Sequence, residues 1–197
     1  ADPDEIASVI DFLASEDARF NTSGTLSFSV GDPVPRVTVP RIDAAPTIDG
    51  TLDDSAWQRD PLIPELRKLS GGGEAGEKTA VWAAHDGDNL YIAFRCLESR
   101  MDKIVAKYTD RGSPLYLDDD VEVFVNPAGA TRTYQFAVNS LGTQSDNFGN
   151  GANWRAAARR EQTEWTVELV IPISVFDTEI GPLPWGMQFG RQQKPSG

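Results

Sequence analysis

The sequence predicts an all-β fold: an antiparallel β-sandwich or barrel, with a short N-terminal helix ahead of it. Three observations carry this reading. Several short runs alternate apolar and polar residues with period two, as strands with one buried face do. Turn dipeptides separate those runs: Asp86-Gly87, Asn126-Pro127, Leu141-Gly142 and Trp185-Gly186. Helical periodicity is confined to the N-terminus, so the strands must bury their apolar faces against one another.

Taken in order, residues 1–15 read as the helix. Asp2 can cap it, Pro3 suits the first helical position, Asp4 and Glu5 favour the positive end of the dipole, and Ile6, Val9, Ile10 and Leu13 share a face. Residues 25–30 alternate as a strand, and Pro33, Pro35 and Pro40 then break the chain. These breaks divide the chain into an N-terminal helix-and-linker segment, 1–36, and a sandwich, 37–197. Within the sandwich the candidate strands are residues 79–84, 90–97, 121–125, 133–138, 165–171 and 187–190. Leu90, Ile92, Phe94 and Cys96 share one face, as do Val121, Val123 and Val125; Tyr134, Phe136 and Val138; and Val167, Leu169 and Ile171.

The chain has 197 residues and a formal net charge of −12, which argues against sequence-independent nucleic-acid binding and against anionic membranes. No stretch approaches the roughly 20 apolar residues of a membrane span. Neutral partners such as sugars, and calcium, are compatible with the acidity. The single cysteine, Cys96, lies in an apolar alternating run and reads as a small buried hydrophobe. No Gly-x-Ser-x-Gly, P-loop or zinc spacing is present, and no pair of carboxylates stands out as a glycosidase pair. The expectation is a protein that is not an enzyme.

Four blocks resemble, in the same order, family 9 carbohydrate-binding modules. The first is Pro46-Thr47-Ile48-Asp49-Gly50-Thr51-Leu52-Asp53-Asp54-Ser55-Ala56-Trp57, read as a strand end, an Asp-Gly turn and a short helix with capping-box spacing from Thr51 to Asp54. The second is Asp86-Gly87-Asp88-Asn89-Leu90-Tyr91-Ile92-Ala93-Phe94. The third is Tyr116-Leu117-Asp118-Asp119-Asp120-Val121-Glu122-Val123-Phe124, continued by residues 134–139 and Gly142. The fourth is Trp165-Thr166-Val167-Glu168-Leu169-Val170-Ile171-Pro172-Ile173, followed by Trp185-Gly186-Met187-Gln188-Phe189 and Arg191.

The resemblance implies an antiparallel β-sandwich, two stacked sheets in a jelly-roll-like arrangement, and a non-catalytic, carbohydrate-binding accessory module of a larger secreted or periplasmic protein. The ligand it implies is a monosaccharide, an oligosaccharide or a polysaccharide chain end. It places Tyr116 where a stacking aromatic stands and Glu122 where a carboxylate accepts hydroxyl protons. The family's arginine in the next strand is replaced by Ala137, leaving Gln135 or Arg191 as substitute donors, and Trp154 is the candidate for a second aromatic. Calcium is structural in some members, and Asp118, Asp119 and Asp120 form the densest acidic run. Each residue also has a plainer reading. Tyr116 could close the core, Glu122 could pair with Arg191, Trp154 could be core, and the aspartates could form a solvated turn.

Two alternatives remain. One is a structural interaction domain that has lost sugar binding. The other is a haem-binding or redox-associated sandwich, since residues 4–13 resemble the last helix of a c-type cytochrome domain. His85, Met101, Met187 and lysines would be its axial-ligand candidates.

Overall fold

The computed structural model describes residues 36–66, 76–127, 130, 132–149, 152–176 and 185–194, together with the backbone of three short strands nearer the N-terminus. In chain order the strands are β1 (Ile10–Phe12), β2 (Arg19–Phe20), β3 (Leu26–Ser27), β4 (Arg36–Val37), β5 (Thr79–His85), β6 (Asn89–Leu97), β7 (Asp120–Asn126), β8 (Tyr134–Asn139), β9 (Gln144–Asp146), β10 (Arg155–Arg160), β11 (Glu164–Pro172) and β12 (Trp185–Gln192). The larger sheet has the order β4-β1-β12-β7-β8-β9, the smaller β10-β11-β6-β5, and β2 pairs with β3. All pairings are antiparallel except that of β1 with β12, which is parallel.

The predicted sandwich is therefore what forms, but the N-terminal helix is not supported. Where its backbone is described, Ile10–Phe12 is extended and lies in register with Trp185–Met187. A helix of about 15 residues is marginal by itself, whereas the open edge of β12 offers a ready ladder to a segment holding Ile10 and Phe12. The rest of that predicted helix lies outside the described residues.

The alternation read from sequence is the core. Val121, Val123 and Val125 of β7, Tyr134, Phe136 and Val138 of β8, and Trp185, Met187 and Phe189 of β12 face Leu90, Ile92, Phe94 and Cys96 of β6 and Trp165, Val167, Leu169 and Ile171 of β11. Each such aliphatic side chain contributes about 1.5–3 kcal/mol by leaving water. Rings meet edge to face: Phe176 lies 5.1 Å from both Tyr134 and Trp185. Burial also pushes the Cys96 thiol up to about 12, as befits an inert core residue. The sequence misses β9 and β10. Gln-Ser-Asp and Arg-Ala-Ala-Ala-Arg-Arg have no large apolar alternation, because each is an edge strand of its sheet.

A strap of chain, residues 38–60, covers the outer face of the smaller sheet. Ile42, Ala56 and Trp57 pack on Ala84, Tyr91, Ala93 and Val170, with Ile48, Leu52 and Trp82 around them. Glu168 of β11 is fully buried beneath this strap. Its Oε2 accepts the amide N–H groups of Asp49 (3.0 Å) and Gly50 (2.7 Å), and its Oε1 accepts the Trp57 indole N–H (2.7 Å). The Thr166 hydroxyl donates to the Gly50 carbonyl at 2.6 Å. Burial raises the Glu168 carboxyl above its ordinary range, while the Trp57 indole and the two amides pull the other way.

Gly50 is required here. Its φ is +88°, and a Cβ would stand 2.8 Å from the Ala158 carbonyl carbon of β10. The short helix expected after this turn is instead a run of tight turns, with the Trp57 amide on the Asp54 carbonyl at 3.0 Å. The capping box does not close. Asp49 Oδ1 takes the Thr51 amide (2.7 Å), and Asp54 Oδ2 reaches back to the Thr47 amide (2.9 Å).

Two stability predictions follow from the strap. Glu168→Gln turns an amide N–H₂ toward donors it cannot accept, leaving at least one buried N–H unpaired. Urea unfolding followed by tryptophan fluorescence should show a loss of about 2–3 kcal/mol. Gly50→Ala combines a disfavoured φ with a backbone clash, so the same measurement should show a loss of about 2 kcal/mol or more.

Candidate functional site

The structure separates the predicted site residues into three places. Tyr116 sits in a single 3-10 turn, Leu115–Leu117, just ahead of β7. Leu115 anchors the turn at 1% exposure, whereas Tyr116 is 60% exposed and Leu117 48%. Tyr116 is therefore not sealed in the core.

Glu122 and Gln135 lie on the outer face of the larger sheet, opposite in parity to the core valines of β7. Gln135 Nε2 donates to Glu122 Oε1 at 2.7 Å. Across the ladder Glu122 stands between Ala137 of β8 and Gly190 of β12, two of the smallest side chains available. Even a Cβ at Gly190 would approach Glu122 Oε2 only to 3.8 Å. Burial raises the Glu122 carboxyl above the ordinary range, while Gln135 and the charge of Lys194 draw it back.

Arg191 does not join them. Its parity on β12 is that of Phe189, so it points inward at the end of the sandwich. There Nη2 pairs with Glu98 Oε2 at 2.9 Å, with both side chains 6% exposed, and Nη1 donates to the Leu97 carbonyl at 2.8 Å. Glu122 and Arg191, one possible pair from sequence, therefore have other partners. Trp154 is likewise in the core. It is 1% exposed, meets Phe136 edge to face at 5.2 Å, and donates its indole N–H to Asp146 Oδ2 at 2.9 Å.

The three aspartates diverge. Asp118 accepts the amides of Lys107 (2.9 Å) and Tyr108 (3.1 Å) and the Asn139 side-chain amide (2.9 Å). Asp119 accepts the amides of Val105 (2.6 Å) and Lys194 (3.0 Å). Asp120 falls on the outer face with Glu122, and both its oxygens are buried without a hydrogen-bond partner. Burial first, then the charge of Glu122, pushes its carboxyl up to about 9. Among the described residues no group of three or more His, Cys, Asp or Glu is placed to hold a metal ion. As placed, these aspartates do not fit a calcium ion. Asp118 and Asp119 instead fasten the 105–108 segment and the end of β12 around the Tyr116 turn.

The axial-ligand candidates are also turned inward. His85 is 5% exposed and Met187 1% exposed, while Met101 packs partly buried against the core. Burial, then the Arg41 charge, lowers the His85 imidazole below its ordinary value, favouring the neutral ring.

Two residues with cross-chain roles in the structure were not legible in sequence. Glu168 looked like any polar residue on a strand's outward face, and nothing local marks the strap that buries it. Lys194 lies beyond the last predicted strand. Only its even spacing from Gly190 and Gln192 places it on the Glu122 face.

A family profile described as carbohydrate family 9 binding domain-like matches residues 48–190. Comparison with curated proteins returns no match. Among solved structures, a family 9 carbohydrate-binding module from Caldicellulosiruptor kristjanssonii in complex with glucose superposes with a TM-score of 0.57 at 18% identity, covering 76% of this chain and 76% of that one. A module of the same family and organism in complex with cellotriose gives 0.58 at 17% identity, covering 77% and 73%. A Bacteroides uniformis protein gives 0.57 at 19% identity, covering 78% and 81%. At such identities these likenesses concern the fold. The family match is of another kind: it runs from the Glu168-clamped strap through both sheets to β12, and the chain belongs to the carbohydrate family 9 binding domain-like family.

Proposed function

We propose that this chain is a non-catalytic carbohydrate-binding module of a larger secreted or periplasmic protein. In this reading a sugar ring stacks on Tyr116, and its hydroxyls donate to Glu122, which Gln135 orients. The observation that carries the reading is an aromatic ring 60% exposed on a turn leading into the strand that bears Glu122. The apolar C–H face of a pyranose is desolvated cheaply by such a ring. The Glu122 carboxylate, whose Oε1 takes the Gln135 amide, then supplies a charged acceptor for hydroxyls. Glucose and cellotriose, bound by the structural neighbours, are the first ligands to try. The other acid on this face, Asp120, has buried oxygens, which supports a site that binds and does not cleave.

Isothermal titration with glucose, cellobiose and cellotriose tests the reading. Heat with one of these is expected; its absence with all of them would favour a structural interaction domain. Tyr116→Ala is expected to weaken binding about tenfold, or ~1.4 kcal/mol. Glu122→Gln removes the charge from the acceptor and should also weaken binding by several-fold.

The pH dependence has a definite sign. Because the Glu122 carboxyl is raised, it protonates at a higher pH than an exposed glutamate. Affinity should be highest above that point and fall as pH falls through it. Titrations between about pH 8 and 4 should show this for the parent and a flatter profile for Glu122→Gln.

A further inference from the structure

We propose that Lys194 is a positioning residue of the sugar site, tying the turn that presents Tyr116 to the end of β12 on the face that carries Glu122. The proposal rests on the carbohydrate-binding reading and adds to it a residue that no strand pattern singles out.

Two hydrogen bonds converge on Lys194. Its ammonium donates to the Tyr116 carbonyl, and its own amide donates to Asp119 Oδ1 at 3.0 Å. Asp119 in turn accepts the Val105 amide at 2.6 Å, so Lys194 joins the Tyr116 turn, the start of β7 and the end of β12 in one network. The register supplies the face. Gly190 stands opposite Glu122 and Gln192 opposite Asp120, so continuing the alternation puts Lys194 on the outer side. Its charge acts on both carboxyls there, lowering the raised values of Asp120 and Glu122.

Lys194 adds to the anchorage that Leu115, Asp118 and Asp119 give the turn. That segment is one turn long, its own bonds are the Leu117 amide to the Pro114 carbonyl (3.1 Å) and the Asp118 amide to the Leu115 carbonyl (2.7 Å), and Tyr116 itself is largely exposed. A stacking ring on an untethered turn must be ordered when ligand arrives, and that ordering weakens binding. The ammonium has three N–H donors, and the Tyr116 carbonyl takes one.

The test uses Lys194→Met, which keeps the length of the stem, and Lys194→Arg, which keeps a cationic donor. The first readout needs no sugar: amide hydrogen exchange at Leu117 and Asp118. We expect exchange about fivefold faster in Lys194→Met and near-parental exchange in Lys194→Arg. The second readout is titration with cellotriose, with about tenfold weaker binding in Lys194→Met and substantial recovery in Lys194→Arg. Unchanged exchange in a folded Lys194→Met, or faster exchange with unaltered cellotriose affinity, overturns the proposal. Absence of cellotriose binding by the parent sinks the carbohydrate reading and the site role with it. In that case the exchange data still decide whether Lys194 holds the turn.

Discussion

One buried carboxylate organises the molecule from outside its main core. Glu168 gathers two backbone amides and an indole from the strap and binds them to the middle of β11. A charged acceptor buried without donors would be strongly destabilising, and three donors on it turn that liability into a specific anchor. The position of the strap follows from it. So does the demand for glycine at residue 50, because the turn must come close enough to β10 for its amides to reach the carboxylate. With the strap in place the smaller sheet is covered on both faces, one by the main core and one by the Trp57 cluster. The larger sheet keeps an outer face bearing polar side chains.

That division of labour sets what each sheet can do. The smaller sheet's outer surface is committed to structure. On the larger sheet, Glu122 stands between Ala137 and Gly190 and takes the Gln135 amide. The acidic run ahead of β7 belongs to the same design. Asp118 and Asp119 hold neighbouring backbone, and their work is to fix where Tyr116 emerges, with Leu115 as the apolar pin.

Strand alternation made most of this fold legible. Six predicted strands recur with ends shifted by only a few residues, because each combines an inward apolar row with a turn signal. The N-terminal segment misled for a physical reason: its apolar spacing suits a helix, yet Ile10 and Phe12 are also good strand formers beside an open edge. At the site, parity worked for Glu122 and Gln135. The same parity, carried along β12 from Met187 and Phe189, turns Arg191 inward. Its partner Glu98 comes from a distant part of the chain, and local pattern cannot reveal such a pairing. Glu168 is alike in this respect: its partner Trp57 lies 111 positions away and becomes a neighbour only through the tertiary fold.

The clamp has a kinetic corollary. Gly50 and Glu168 lie 118 positions apart, so the strap has nothing to fasten onto until β11 has been synthesised and docked. Contacts of such high sequence separation belong to the slow end of the folding spectrum, with closure times of milliseconds to seconds. Until then Trp57 and its apolar neighbours stay unsheltered, and a nascent polypeptide emerging from the ribosome would carry them as a sticky, chaperone-accessible flap.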